Sequence, residues 1–481
     1  MQAILSGFRR AGDPNAVEPL GHRRFLQRSV WISMWLAVCY GAQAQSIAPD
    51  GCPIFHCTVE ATGVIYQPLI PAVSTITSSS SLGNLQKQGC SGDGTTLACL
   101  FSTDNATGSA QGTLKLLDAT TLQPIWGSAG SAYNLNAPSA SDGQVPVVFS
   151  DGSIAAGDSH YLVRYSSQGV VIGKLSLRGN DLDYGLTPIS ATYGVVSQAN
   201  AVLTLVDLST WTNAGTLQLL DPATNGSLQL ISPSSGAPNV LYAIAQNKIN
   251  GNGYLFSIVI NPATNRLEVS SSFEFTGQSG ASPVVVTPGT SGLSTNLILL
   301  HVPGLIGDTQ PKNRLLGLSD SAPGLNILWE IPLSAPLIVS PTVDQGSMSL
   351  FYHQQYNPVI YQNQLSTGTE IRSFNLQTIA GLPSPLQLNA HLGATQAGSV
   401  FTLLLGGAHS SAPGVGATYV MAFQPMVSPK SLLWSRQISN VPASYLAAWN
   451  FGPSSEAGIL CPIAITAYTV GNSAIVRLCD F

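Results

Sequence analysis

The feature of this chain that most limits its fold is a repeat of roughly 50 residues. A residue followed by proline, usually a small or hydroxyl-bearing one, opens one segment after another. The pairs are Ala137-Pro138, Thr187-Pro188, Ser232-Pro233, Ser282-Pro283, Ser340-Pro341, Ser384-Pro385 and Val441-Pro442. Between them lie short apolar runs such as Val202-Leu-Thr-Leu-Val206, bounded by Gly, Ser, Asn, Asp or Pro. No run keeps a helical period for three turns, so the runs predict β-strands.

Each repeat has room for about four such strands, which is the content of one blade of a β-propeller. We therefore predict an all-β fold, a single β-propeller of four-stranded antiparallel blades. Eight blades are expected, with seven as the alternative, and they span 84–128, 137–178, 186–220, 228–275, 280–333, 338–379, 384–439 and 442–479. Proline is expected at the first residue of each innermost strand, because no ladder hydrogen bond is lost there.

A second repeat lies where the last two strands of a blade should meet. Its residues are an Asp or Asn that starts a tight turn, a Thr three positions on, and a Trp on the outer strand between blades. They are Asp118, Thr121 and Trp126, then Asp207, Asn261, Trp329 and Trp434. In the first copy Leu122 follows Thr121, where a glycine is usual in such turns.

The two repeats together resemble the PQQ-like propeller repeat of quinoprotein alcohol dehydrogenases, over roughly residues 84–479. The same repeat occurs in the non-catalytic propeller lipoprotein of outer-membrane assembly. For a dehydrogenase, the resemblance implies PQQ, a Ca²⁺ ion held by Glu, Asn and Asp, and an Asp base. These positions cannot be matched residue by residue in this chain, so no catalytic residue is assigned.

The first 44 residues predict an export signal. Arg23, Arg24 and Arg28 precede the apolar run 30–38, and Ala42-Gln-Ala44 is a small-x-small cleavage site before Gln45. Lipidation of Cys39 is the alternative. The domains are then the signal peptide 1–44, a Ser-rich lead-in 45–83 and the propeller 84–481, with no transmembrane segment in the mature chain. The lead-in is expected to cover one face or to supply a closing strand.

Six cysteines remain after removal of the signal, an even number that favours disulfides in an exported protein. They form three sequence-local pairs, Cys52 with Cys57, Cys90 with Cys99, and Cys461 with Cys479. A bridge from the N-terminal pair to Cys479 is the alternative. The location predicted from these features is periplasmic or secreted.

The residues that carry chemistry are sparse. Charged residues make up only 9% of the chain, and without clustered cations a nucleic-acid partner is not expected. The histidines form no metal-binding pair, and there is no GxSxG motif. Asn180, Asp181 and Asp183 place oxygen ligands in one short turn and are a weak Ca²⁺ candidate.

These observations favour an exported, non-catalytic propeller that acts as a binding or scaffold module. Its partner would be an envelope or extracellular protein, or a glycan. No cofactor is expected apart from possible Ca²⁺. The alternative is a divergent PQQ-dependent oxidoreductase, so the question of enzymatic activity stays open, with the balance against it.

Overall fold

The computed structural model of the chain divides into residues 1–43 and 44–481, and the description below concerns the second unit. The structure describes residues 46, 48, 64–79, 84–103, 111–126, 133–135, 146–158, 160–177, 182–220, 229–236, 239–261, 263–279, 281–288, 293–310, 312–321, 324–382, 386–388, 392–397, 399–412, 415–426, 432–440, 443–468 and 473–479. The predicted signal peptide, Cys52 and Cys57 lie outside the described residues. Among those residues, no helix is long and apolar enough to cross a membrane.

The described strands form eight sheets, which are the eight blades of a β-propeller. The lead-in contains β1 (Val64–Ile65) and β2 (Thr75–Ser79). Blade 1 contains β3 (Asn84–Gly92), β4 (Thr96–Thr103), β5 (Gln111–Asp118) and β6 (Tyr133–Leu135). Blade 2 contains β7 (Val147–Val148), β8 (Ile154–Asp158), β9 (Tyr161–Tyr165) and β10 (Val171–Ser176). Blade 3 contains β11 (Leu182–Pro188), β12 (Tyr193–Gln198), β13 (Val202–Asp207) and β14 (Thr212–Gln218). A 3₁₀ turn (Ala199–Ala201) lies between β12 and β13.

The remaining blades follow the same order. Blade 4 contains β15 (Gln229–Gly236), β16 (Val240–Gln246), β17 (Asn252–Asn261) and β18 (Arg266–Thr276). Blade 5 contains β19 (Val284–Val286), β20 (Leu297–Val302), β22 (Arg314–Ser321) and β23 (Gly324–Pro332), with β21 (Gly304–Leu305) in a loop. Blade 6 contains β24 (Thr342–Asp344), β25 (Ser349–Tyr352), β26 (Val359–Gln364) and β27 (Glu370–Asn375), and helix α1 (Leu376–Ala380) follows it. Blade 7 contains β28 (Leu386–Leu388) and β29 (Gly393–Ala397) as a divided first strand, then β30 (Val400–Ala412), β31 (Val415–Phe423) and β32 (Leu432–Ser439). Blade 8 contains β33 (Ala443–Pro453), β34 (Leu460–Tyr468) and β35 (Ser473–Cys479).

The predicted fold class and the count of eight blades are therefore confirmed. The first strands of blades 2, 5 and 6 are fully buried, whereas the fourth strands of blades 2 and 6 are mostly exposed. This gradient is the one expected when each blade starts at the axis and ends at the rim. The blade limits differ from the predicted ones by a few residues, since blade 1 extends to Leu135 and blade 3 begins at Leu182.

The prediction that proline opens each innermost strand is correct in some blades and wrong in others. Pro283 and Pro341 come directly before β19 and β24. Pro188 instead ends β11, and Pro233 lies inside β15, between Ile231 and Ser234, where the strand register shifts. A bulge tolerates proline because a residue there is already missing from the hydrogen-bond ladder.

The lead-in closes the ring. Strand β2 pairs antiparallel with β35 and is the fourth strand of blade 8, while β1 pairs parallel with β29 of blade 7. Between them, Arg436 of blade 7 donates to the Val73 carbonyl through Nε at 3.2 Å and through Nη2 at 2.6 Å. Of the two predicted places for the lead-in, the closing strand is the one observed.

Adjacent blades pack through apolar clusters, and the tryptophans lie in them. Trp126 Nε1 donates to the Ser167 carbonyl of blade 2 at 2.9 Å, and Trp329 Nε1 donates to the Leu365 carbonyl of blade 6 at 3.0 Å. Trp434 is buried in the cluster shared by blades 7 and 8 and the lead-in. Gly368 allows the close approach of Trp329, because a Cβ at this left-handed position would lie 2.7 Å from the indole ring.

The turns that carry the second repeat are held by local hydrogen bonds. Asp118 Oδ1 accepts from the Thr121 backbone N–H at 2.7 Å and from its hydroxyl at 3.0 Å. Asp207 and Asn261 each accept, through Oδ1, from the backbone N–H two positions on, as Asp118 does from Thr120. Leu122 itself adopts the left-handed conformation, with φ of 57°, that a glycine would adopt more easily.

Two of the three predicted disulfides are present. Cys90 is bonded to Cys99 between β3 and β4, and Cys461 is bonded to Cys479 between β34 and β35. Both link neighbouring strands of one blade, so the local pairing is confirmed for these four residues. The alternative bridge from the N-terminal pair to Cys479 is excluded, because Cys479 is already bonded to Cys461.

Candidate functional site

One face of the propeller carries the loops between the second and third strands of the blades, together with the linkers that connect consecutive blades. We call it the loop face, and its principal loops are 247–251 in blade 4, 303–313 in blade 5 and 353–358 in blade 6. The linker between blades 5 and 6 is bonded to this face: the Leu337 N–H donates to Nε2 of His301 at the end of β20 at 3.4 Å, and the Gln355 N–H of the blade 6 loop donates to the Pro336 carbonyl at 3.0 Å.

The blade 5 loop is long and held in a defined shape. Asp308 Oδ2 accepts from the Leu305 N–H at 2.9 Å, and its carboxylate forms a two-pronged ion pair with Arg314 at 2.5 and 3.0 Å. The Arg314 hydrogen bonds lower the pKa of Asp308 to about 2, so the carboxylate stays ionised at neutral pH. At the tip of the loop, Ile306 is 53% exposed and Gly307 has a φ of +91°. The ion pair thus fixes the loop in a shape that leaves the apolar side chain of Ile306 exposed to solvent.

The blade 4 loop meets the blade 5 loop at the end of β18. Strand β21 of the blade 5 loop pairs with β18, placing Leu305 beside Phe275. From the other loop, the Gly251 carbonyl accepts from the Gly277 N–H, the residue that follows β18, at 3.0 Å. Ile249, at the tip of this loop, is 67% exposed. Two exposed isoleucines therefore stand on loops that share one strand end.

The blade 6 loop adds an exposed aromatic ring to the same face. Tyr356 is 56% exposed and has a left-handed backbone with φ of 60°, which is uncommon for a bulky residue. The loop is anchored beneath by buried Gln354, whose Oε1 accepts from the Ser334 N–H at 2.9 Å, the Ser334 hydroxyl at 2.6 Å and the Ala335 N–H at 2.9 Å. The loop is thereby fixed to the linker between blades 5 and 6.

The buried histidines of this face contact backbone groups of its loops and linkers. His301 lies at the end of β20, is 3% exposed, and has a pKa lowered to about 4 by burial. Neutral imidazole accepts the Leu337 N–H, so the ring stabilises the linker. His353 is also buried, with Nδ1 3.2 Å from the Gln354 carbonyl. Within the described part of the chain, no group of three His, Cys, Asp or Glu could hold a metal ion.

A second polar cluster lies away from the loop face, where blades 4 and 5 meet. Asp320 Oδ2 accepts from the Tyr242 hydroxyl at 2.6 Å and from the Ser257 hydroxyl at 2.7 Å, and Asn296 Nδ2 donates to Tyr242 at 2.9 Å. Burial, followed by the Asp320 carboxylate, raises the pKa of Tyr242. The hydrogen bonds of this cluster link blades 4 and 5.

The predicted Ca²⁺ candidate cannot be placed as a site. Asn180 and Asp181 lie outside the described residues, and Asp183 lies in β11 with a side chain that is also outside them. Sequence analysis did not identify Ile249 or Ile306. In the sequence, each is an apolar residue inside a polar loop. This pattern indicates a binding surface only once the loops are known to share a face.

No family model and no curated protein sequence matches the chain. Among solved structures, a europium-containing methanol dehydrogenase aligns with a TM-score of 0.58 and 9% identity, over 89% of this chain and 98% of that chain. A quinohemoprotein alcohol dehydrogenase from Comamonas testosteroni aligns with a TM-score of 0.49 and 12% identity, over 83% of each chain. BamB from Moraxella catarrhalis aligns with a TM-score of 0.46 and 8% identity, over 84% of this chain and 100% of that chain. At these identities the likeness is to the propeller fold alone, and membership of the PQQ-like repeat family stays a prediction.

Proposed function

We propose that the protein is a non-catalytic binding module that docks a protein partner on the loop face of blades 4 to 6. The observation that carries this proposal is the set of three exposed apolar tips, Ile249, Ile306 and Tyr356, on loops anchored by internal hydrogen bonds and an ion pair. A loop already held in its bound shape loses little conformational entropy on binding.

The partner's chemistry follows from the charges of this face. The Asp308 carboxylate and the Arg314 guanidinium neutralise each other, and Glu330 lies 3.4 Å from Arg314 as a third member. Two exposed cations, Lys248 and Lys312, also lie on these loops, beside the apolar and aromatic side chains that are the usual anchors of protein interfaces. A folded protein with a largely apolar docking surface fits these features.

We also propose that the protein works outside the cytoplasm, in the periplasm or beyond. The predicted signal peptide 1–44 would be removed before Gln45. The disulfides Cys90–Cys99 and Cys461–Cys479 support this location, since such bonds persist in oxidising compartments.

The docking proposal is tested by replacing Ile306 with a photo-crosslinking amino acid in the native host. We expect one defined protein to be captured at this position. In the Ile306→Asp variant, the amount of that protein that co-purifies should fall roughly thirtyfold, the effect of losing an interface anchor worth about 2 kcal/mol. Ile371, 51% exposed on β27 at the rim, is the matched control. Equal capture from positions 306 and 371, or an Ile306→Asp variant that retains the partner, would contradict the proposal.

The dehydrogenase alternative needs cations near the axis, because PQQ carries three carboxylates and burying them unpaired costs several kcal/mol. The described first strands of blades 2 to 8 contain no Lys or Arg, and Lys87 in β3 is the one cation of blade 1's first strand. The residues present therefore do not fit the cofactor. We expect calorimetric titration with PQQ in millimolar Ca²⁺ to give only heat of dilution. Stoichiometric micromolar binding would support the dehydrogenase instead.

A further inference from the structure

A cavity of about 200 Å³ lies between blades 2 and 3, lined by polar side chains. The linker residue Leu177 borders it on the blade 2 side, and β12, β13 and β14 of blade 3 form its floor. Two rows of paired residues make that floor: Gln198, Val202 and Gln218 in one, and Thr204 beside Thr216 in the next. The cavity does not involve the loops of blades 4 to 6.

The polar floor interrupts an otherwise apolar contact between blades. Lower on the same sheet face, Val196, Val206 and Trp211 pack against blade 2. On the opposite face of blade 3, Leu203 and Leu205 pack against blade 4. Thr204 and Gln198, each 1% exposed, therefore place a hydroxyl and an amide beside the apolar contacts of this face.

The cavity retains unused hydrogen-bonding capacity. Gln198 Nε2 donates to the Leu177 carbonyl at 2.7 Å, and Gln198 Oε1 accepts from the Thr204 hydroxyl. One amide proton of Gln198 and the lone pairs of the Thr204 hydroxyl are not used in these two hydrogen bonds. The side chains of Asn213 and Thr216 make no hydrogen bond to any described residue. The lining side chains include both hydrogen-bond donors and acceptors, and none of the lining residues is charged.

From this lining we propose that the cavity binds one ring of a neutral saccharide, independently of the docking proposed for the loop face. Sugar hydroxyls donate and accept at once, which matches amides and hydroxyls, whereas a charged ligand would find no counterion. The volume equals that of about six or seven water molecules, below the range of about 300 to 1,000 Å³ for drug-sized ligands. It suits one monosaccharide unit and excludes a nucleotide or a folded peptide. Exposed Thr216 and Gln218 form the rim through which the rest of a chain would leave.

The test is saturation-transfer NMR on the purified protein with glucose, galactose, mannose and N-acetylglucosamine as separate probes. We expect at least one of them to bind with a dissociation constant of about 1 mM, as befits about a dozen ligand atoms. Glucuronate, which adds a carboxylate to the same ring, should bind at least tenfold more weakly. Absence of saturation transfer to all four neutral sugars would refute the site and show that the cavity holds only water.

Variants at Thr216 test whether the sugar binds in this cavity. Thr216→Val should weaken it roughly tenfold, the loss expected for one hydrogen bond, and Thr216→Phe should abolish it by filling the mouth. Thr212→Val is the matched control, since Thr212 is also exposed on β14 but pairs with Asp207 on the opposite sheet face. Thr216 makes no hydrogen bond within the described protein, so these variants should fold normally, which circular dichroism verifies. Sugar binding that is equal in wild type and in both Thr216 variants would place it elsewhere and overturn the proposal.

Discussion

Replacing Ile70 with alanine is expected to lower the free energy of unfolding by about 2 to 5 kcal/mol, the cost of emptying a fully buried isoleucine site. Ile70 is 0% exposed, and its N–H donates to the Leu460 carbonyl of blade 8 at 3.1 Å. Its side chain lies in the cluster that joins the lead-in to blade 7, through Trp434, and to blade 8, through Trp449. The cavity would thus weaken the contact that closes the ring. Urea unfolding followed by tryptophan fluorescence measures the change.

Ile76 supplies the matched control for this variant. It belongs to the same lead-in, on strand β2, but is 45% exposed. Ile76→Ala should shift the unfolding midpoint by only a small fraction of the Ile70→Ala effect, because little apolar surface is uncovered. Equal midpoints for the two variants would show that the lead-in does not stabilise the ring through its buried residues.

The second prediction is a loss of stability in acid caused by His301. Its folded pKa of about 4 lies below the ordinary value of 6.5, because burial disfavours the charged ring. Between these two values the unfolded chain binds a proton that the folded protein does not, so the free energy of unfolding falls as the pH falls from 6.5 to 4. At pH 4, this difference in proton binding lowers the free energy of unfolding by about 3 kcal/mol. Above pH 6.5 it has no effect.

The measurement compares wild type with His301→Gln in urea at several pH values from 4 to 7. Carboxyl groups also titrate in this range, but they contribute to both proteins and cancel in the difference. We expect the variant to be less stable than wild type by a fixed amount above pH 6.5 and to regain about 3 kcal/mol relative to it at pH 4. A difference between the two proteins that does not change with pH would disprove the assignment of the acid sensitivity to His301.

Local features of the sequence were sufficient to predict the repeating unit. Short apolar runs such as 202–206 become strands because both faces of a blade pack against neighbouring blades, and Asp118 starts its turn with partners only two and three positions away. Interactions of this range depend on residues adjacent in the chain. The pairing of Cys90 with Cys99 followed from such local interactions, because both cysteines lie in one hairpin. The blade count followed from the number of repeats along the chain.

The tertiary structure decided what depends on distant partners. Strand β2 is a Ser-rich segment without an apolar pattern, and it is a strand because β35, some 400 residues later, offers an unpaired edge. The loops of Ile249 and Ile306 meet because β21 pairs with the end of β18, and the pKa of His301 depends on its burial in the folded protein. In the same way, Thr204 and Thr216 line a cavity only because the fold brings Leu177 of the preceding linker beside them. The sequence by itself therefore determined the unit and its number, whereas closure of the ring and the surfaces proposed for binding arose from the order in which the units pack.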